Sequence, residues 1–339
     1  MNIELADELT DYLKRMSRVG STEILQVEVL RGGVSNRTVL VKRENGEEWV
    51  LKQALERLRV REEWLSDPAR IHREAEGLRW LPRLTPPGSV TPLIFEDREF
   101  HLLAMEAVPR PHENWKLVLL EGRLDLHHVR QFAQLLGHIH LCSSHQEETL
   151  RTLFRDRSFF DSLRLDPYYR FTAEREPAAT SFLTDLIRET QQISVALVHG
   201  DYSPKNILIY QNRLILVDHE VIHWGDPAFD IGFSLTHLLS KTHHCSQHRQ
   251  QFHQAAVVYW TTYLDTIQGV SWFASLEERA VRHTLGCLLA RVAGKSQLEY
   301  LSEHERRLQR SLILEFIAQQ PAGITELIDQ FVYRLEDYA

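Results

Sequence analysis

Cysteine is scarce in this 339-residue chain: Cys142, Cys245 and Cys287 are the three present, with no CxxC spacing among them. An odd, scattered set of thiols excludes a disulfide scaffold and suits a reducing compartment. Long apolar runs are lacking too, and none approaches the roughly 18 residues of a membrane span. Basic residues are outnumbered 39 to 47, for a formal net charge of −8. A binder of phosphate backbones needs a concentrated basic surface, so nucleic acid is a poor first expectation. The N-terminus, Met-Asn-Ile-Glu-Leu-Ala-Asp-Glu-Leu, is acidic and has no apolar stretch of the signal-peptide kind. Internal repeats and low-complexity tracts are absent as well. With 43% hydrophobic and 25% charged residues, the composition is that of a folded chain. The expectation is a cytoplasmic globular protein without a membrane or nucleic-acid partner.

What is present is a change of pattern along the chain. Residues 24–30, 37–41 and 48–52 alternate in the manner of strands, separated by Gly32-Gly33 and by Glu44-Asn45-Gly46. Ile71, Ala75, Leu78 and Leu81 predict a helix over 68–82, and a second strand pair is expected over 90–105, turning near Glu96-Asp97-Arg98. From about 113 onward the pattern is mainly helical. Val129, Phe132, Leu136 and Ile139 share one face, and further helices are expected over 180–192, 230–242, 250–266, 276–293 and 322–336. One short β patch interrupts them, at 196–198, 207–209 and 214–217. The fold class read from this is α+β. A small sheet lobe with one helix spans 1–107, and a larger helical lobe spans 108–339, with a cleft between them.

The segment 198–232 carries the densest chemistry. Asp201 and Asn206 stand five apart on a loop after one short strand, and Asp218 ends a second strand twelve residues later. A hairpin-like arrangement brings the three to one end of the patch. Phosphoryl transfer needs such a set: a carboxylate to orient the acceptor hydroxyl, and oxygen ligands for Mg²⁺ on the nucleotide phosphates.

The motif His199-Gly200-Asp201-Tyr202-Ser203-Pro204-Lys205-Asn206 resembles the catalytic loop of the aminoglycoside phosphotransferase, choline kinase and methylthioribose kinase superfamily, which has a protein-kinase-like fold. The resemblance runs from about residue 28 to 300. It implies a two-lobed enzyme that uses ATP and Mg²⁺ to phosphorylate a hydroxyl of a small molecule, with GTP as the alternative donor. On this likeness Asp201 is the catalytic carboxylate, Asn206 and Asp218 bind metal, and His199 and Asp230 are structural. Asp230 would anchor the loop, and on the residues alone it reads as an N-cap for the helix beginning Ile-Gly-Phe-Ser. In the first lobe, the stretch from Leu30 to Thr38 resembles a shortened phosphate loop, with Gly33, Ser35 and Asn36 near the phosphates. Lys52 matches the strand lysine on the α and β phosphates, Glu74 its helical partner with Glu76 nearby, and Glu106 and Val108 the hinge that holds adenine. An ATP-dependent kinase of a small metabolite, such as a sugar resembling methylthioribose, is the reading this implies.

Two departures stand out. Ser203 occupies the position where protein kinases carry a lysine, so another cation must reach the γ-phosphate; Lys205 is close, with its role open. The metal segment reads Asp218-His219-Glu220, which makes Glu220 a candidate for a second Mg²⁺ or its water shell. Arg291, in Leu-Leu-Ala-Arg-Val-Ala-Gly-Lys, loosely resembles a substrate-holding arginine of methylthioribose kinases; the plain alternative is a surface arginine near a helix end. A cationic acceptor is the second reading, with Tyr202, Trp224 or Trp272 as an aromatic cage. A nucleotide-binding scaffold without activity is the third. A protein kinase is disfavoured by Ser203 and by the seven residues between Asp218 and Asp226. His243, His244, Cys245, His248 and His253 invite a zinc reading, but the spacing shows no closure of three or four ligands, and a polar helix face is expected. The residues set no oligomeric state.

Overall fold

The computed structural model describes residues 1–30, 33–59 and 64–336. Five antiparallel strands form the first sheet: β1 (Gln26–Val29), β2 (Asn36–Lys42), β3 (Glu48–Ala54), β4 (Leu93–Asp97) and β5 (Leu102–Glu106), in the spatial order β1-β2-β3-β5-β4. Their two-residue period sorts the side chains onto two faces. Val39, Val41, Trp49, Leu51, Leu102 and Ala104 pack under an N-terminal helix, Ala6–Arg15, against its Leu9, Tyr12 and Leu13. The opposite face carries Leu40, Val50, Lys52, Leu103 and Met105. Register pairs Lys52 with Leu103 and Leu51 with Ala104. The alternation that buries one face therefore aims Lys52 at the other.

Helix Arg70–Leu84 lies on that second face. Ile71, Ala75, Leu78, Leu81 and Leu84 join the large core shared with the helical part of the chain. The centre of that part is helix Pro227–His244, buried almost all round, as a helix wrapped by others must be. Helices Arg249–Thr266 and Leu276–Ala293 pack against it, and Leu126–Ser144 packs against Arg249–Thr266.

The β patch expected at 196–217 is two separate sheets. β6 (Glu113–Asn114), β8 (Ile207–Tyr210) and β9 (Arg213–Leu216) form one, and β7 (Ala196–Val198) pairs with β10 (His223–Gly225) in the other. The loop 199–206 separates β7 from β8, so β7 takes its partner from the far side of the metal segment. Helices Ala6–Arg15 and Glu303–Ala318, and a π-helical stretch Asp161–Arg170, are additions to the sequence reading. Among the described residues no helix is long and apolar enough to cross a membrane.

Candidate active site

The loop after β7 is fixed from below. Gly200 has φ +77°, and a Cβ there would stand 3.0 Å from the Val221 carbonyl and side chain, so the turn requires glycine. The buried Asp230 carboxylate accepts the N–H groups of His199 (2.6 Å) and Gly200 (2.8 Å) and meets His140 Nε2 at 3.3 Å. Burial pushes its pKa up, but the hydrogen bonds from His140 and Gly200 hold it below the usual range. Asp230 anchors the loop and is not the N-cap. That position belongs to Asp226, whose side chain accepts Ala228 N–H at 3.0 Å and is held by Arg279 at 2.9 Å. His199 Nδ1 accepts the Asp201 N–H (3.2 Å), and its Nε2 faces His219 Nδ1 at 3.1 Å. Both imidazoles are buried, which lowers their pKa and keeps them neutral.

Asp201 is clamped on both oxygens. Arg164 pairs with Oδ1 at 2.9 Å, and Asn206 Nδ2 donates to Oδ2 at 2.7 Å. Because the Asn206 amide nitrogen faces Asp201, its oxygen is the atom left for a cation. Asp218 follows β9 with φ +71°. Lys52 Nζ lies 2.6 Å from Glu74 Oε1 and 3.0 Å from Asp218 Oδ1. Burial raises the Asp218 pKa, yet Lys52 and Lys205 pull it net below the usual carboxylate range. Burial lowers Lys52, but Asp218 and Glu74 more than offset this and raise it. Burial pushes the Glu74 carboxyl up to about 7, against the pull of Lys52. Glu76 points elsewhere, to Arg79 and Trp80, which settles the choice of helical partner for Lys52.

Glu220 is brought to the same place but already has a cation. Arg70 Nε lies 3.1 Å from it, and Asn36 Nδ2 donates at 3.3 Å. Burial and the Asp218 charge raise its pKa. The fully buried Arg70 also donates to the carbonyls of Ser35, Leu55 (2.8 Å) and Ser66 (3.1 Å), tying the loop before β2 to Glu220. Of that loop, Gly33, Ser35 and Asn36 are described, whereas Arg31 and Gly32 of the expected phosphate loop lie outside the described residues.

Two cavities meet at these side chains. A cavity of about 230 Å³ is walled by apolar groups such as Leu40, Val50, Met105, Val108 and Val217, with Glu106 at its edge and Lys52, Asn206 and Asp218 at its inner end. A second, of about 420 Å³, is lined by Gly33, Ser35, Asp201, Ser203, Lys205, Glu220 and Arg291 among others. Asp218 lines both. Arg291 therefore faces a cavity and is no plain surface residue. Its guanidinium donates to Ser296 O (2.7 Å) and Oγ (3.0 Å), meets His237 Nε2 at 3.2 Å, and lies over Tyr168 and Phe233, 5.0 and 5.4 Å from the ring centres.

Other expected residues do not converge. Tyr202 is buried and stacked on Phe132 at 4.4 Å, and Trp224 is fully buried, so neither lines an aromatic cage. Trp272 packs against the core beside His140, at 6.4 Å. In the histidine-rich segment, His244 meets Glu305, His248 meets Gln251 and His253 meets Asp329, each a separate pair. Among the described residues no three His, Cys, Asp or Glu side chains could hold a metal. Asn206 and Asp218 offer the hard oxygen donors that suit Mg²⁺, with phosphates and water to complete its shell. Arg164 and Arg70 are the residues that sequence reasoning missed. Arg164 sits on the π-helical stretch, where no spacing rule connects it to Asp201. Arg70 did carry a signal: a cation in the first turn of a helix opposes the helix dipole and calls for a nearby carboxylate.

The family model described as the phosphotransferase enzyme family matches residues 26–266, from β1 through the loop, Asp218 and the central helix. The chain belongs to that family. Similar curated proteins include methylthioribose kinases of Pectobacterium atrosepticum and Pectobacterium carotovorum, each 24% identical over 261 residues, which is 69% of this chain and 65% of theirs. The match thus spans a little under two thirds of those relatives' length. Among solved structures, an amicoumacin kinase in complex with AMP-PNP and Ca²⁺ superposes with a TM-score of 0.58 at 15% identity, covering 95% of this chain and 98% of that one. A choline kinase from Cryptosporidium parvum gives 0.56 at 12% identity, covering 98% and 99%. These structures share the protein-kinase-like fold, as the sequence resemblance implied.

Proposed function

We propose that this family member transfers the γ-phosphoryl group of ATP to a hydroxyl of a small metabolite. The observation that carries the reading is the meeting of an apolar and a polar cavity at Asp218, with Lys52 at one side and Asp201 at the other. In this reading residues 1–107 and 108–339 are the two lobes, and adenine occupies the apolar cavity against Val50, Met105 and the main chain from Glu106 to Val108. Lys52, held by Glu74, faces the α and β phosphates, and Gly33, Ser35 and Asn36 lie along the phosphate path. Asn206 and Asp218 would hold Mg²⁺, which would supply charge neutralisation for the nucleotide phosphates. Glu220, paired with Arg70, supports its water shell.

Asp201 orients the acceptor hydroxyl and takes its proton as the new O–P bond forms and the bond from the γ phosphorus to the β–γ bridging oxygen breaks, leaving ADP. Arg164 and Asn206 keep that carboxylate in place, and catalysis is mainly positioning and electrostatics. The 24% likeness to methylthioribose kinases supports a sugar-like acceptor held by Arg291. The scattered free thiols support a cytoplasmic setting.

The test is ADP release from MgATP across sugars, sugar acids, amino alcohols and aminoglycosides. Release that depends on one acceptor class and is lost in Asp201→Asn supports the reading. Tight MgATP binding with no acceptor-dependent release over the whole panel favours an inactive nucleotide-binding scaffold.

A further inference from the structure

The four carboxylates and four cations that line the 420 Å³ cavity are equal in number but are not paired one to one. Among the described residues each carboxylate that lines it already has a cation: Asp201 has Arg164 (2.9 Å), Asp218 has Lys52 (3.0 Å, shared with Glu74), Glu220 has Arg70 (3.1 Å) and Glu299 has Lys116. Two lining cations, Lys205 and Arg291, have no carboxylate at ion-pair distance among the described residues. Lys205 stands on the exposed turn before Asn206 and acts electrostatically on Asp218. Arg291 is fixed by Ser296 and by its seat over Tyr168 and Phe233. The neighbouring His237 reports the local field. Besides burial, the influences that hold its pKa well below normal are four cations: Arg291, Lys241, Lys116 and Lys205. Lys241, fully buried one turn along the same helix, donates to the His237 carbonyl at 3.0 Å. Trp64, Leu163 and Leu298 supply an apolar wall.

We propose that this cavity selects an acceptor that carries an anionic group, a small hydroxylated acid, with the anion at Arg291 and the hydroxyl at Asp201. The inference rests on the phosphotransferase reading and narrows its acceptor. A cationic acceptor needs an unmatched carboxylate to replace its lost hydration, and every described carboxylate here is taken. An acid finds a pre-positioned guanidinium whose planar fork suits a carboxylate or a phosphate. A cavity of this size also suits a small metabolite.

The experiment uses one carbon skeleton with three end groups: gluconate (carboxylate), glucitol (neutral) and glucamine (ammonium). Each is titrated by calorimetry into the full chain, alone and with AMP-PNP and Mg²⁺, at constant ionic strength. Gluconate is expected to bind at least ~10-fold tighter than glucitol, the scale of a charge-assisted hydrogen bond, with glucamine the weakest. In Arg291→Gln the gluconate advantage should vanish, while glucitol changes less than about threefold if the lost contact is the charge-assisted one. Lys205→Gln, on an exposed turn that tolerates substitution, should reduce the advantage partway and keeps the test open if Arg291→Gln fails to fold. The proposal is overturned if gluconate binds no tighter than glucitol, if glucamine binds best, or if the advantage survives both substitutions. Equal binding of all three alongside normal AMP-PNP binding overturns this inference alone. A kept gluconate preference without any AMP-PNP binding overturns the phosphotransferase reading alone.

Discussion

The two cavities that share Asp218 are built by opposite means. The smaller is a slot whose walls are the inner face of the sheet and the end of β8, so its shape follows from strand alternation in β2, β3 and β5. Such a cavity suits an apolar ligand held by burial, a nondirectional force that tolerates small changes of wall residue. The larger is a ring of ion pairs between elements far apart in sequence: Arg164 to Asp201, Arg70 to Glu220 and Lys116 to Glu299. Charges there are fixed before any ligand arrives, which is what electrostatic catalysis requires. In the proposed reading, affinity for the donor falls to one side and chemistry on the acceptor to the other.

The strongest way to break that contrast is at Asp201. Asp201→Asn keeps the shape but removes the proton acceptor, so kcat should fall ~10²-fold or more, with AMP-PNP affinity nearly unchanged by equilibrium titration. Turnover within a few-fold of wild type would remove Asp201 from the chemistry. Next in size is the lysine that spans both sides. Lys52→Met should raise the nucleotide KM and lower kcat, together ~10- to 100-fold in kcat/KM, and Glu74→Gln should give a weaker version. Since Glu74 acts through Lys52 at 2.6 Å, the double variant should be no worse than Lys52→Met. Fully additive losses in steady-state kinetics would separate them.

A change confined to the slot sharpens the comparison. Val50→Trp fills the apolar cavity and should raise the nucleotide KM about tenfold, the scale of a lost shape fit, with kcat at saturating nucleotide close to wild type. A fall in kcat with unchanged KM would mean the slot is not the donor site. The smallest expected effect is on stability. Glu74 titrates at about 7 in the folded chain against an ordinary 4.5. A raised carboxyl contributes its stability in full below 4.5 and loses it as pH rises through about 7. Asp218, lowered, loses its contribution only as pH falls below 3.8, outside this window. The melting-temperature advantage of wild type over Glu74→Gln should therefore shrink between pH 5 and pH 7.5. An advantage that widens over that range would contradict the Glu74 assignment.

The same division explains what could be read from sequence. Strand periodicity is local, so β1 to β5 and the face that carries Lys52 were legible, as were Ile71 to Leu81 on the helix beside them. Asp201, Asn206 and Asp218 were legible because one loop and one hairpin bring them together. The charge ring was not, because Arg164 meets Asp201 across 37 positions and Arg70 meets Glu220 across 150. Local pattern also misled where two aspartates competed for one helix end: Asp226 caps it, and Asp230, one turn in, reaches back to the loop. Tyr202 and Trp224 look like cage residues in the sequence, yet both point into the core, a side of the loop that no local period encodes.

The two cavities meet at Asp218, which in the proposed reading would hold a divalent cation between donor and acceptor. Titrating AMP-PNP with and without Mg²⁺ into wild type and Asp218→Ala tests that reading most directly. Mg²⁺ is expected to tighten binding to wild type at least ~10-fold, the order of a lost metal ligand or its support, and to leave Asp218→Ala unmoved. Equal tightening by Mg²⁺ in both proteins would contradict the reading.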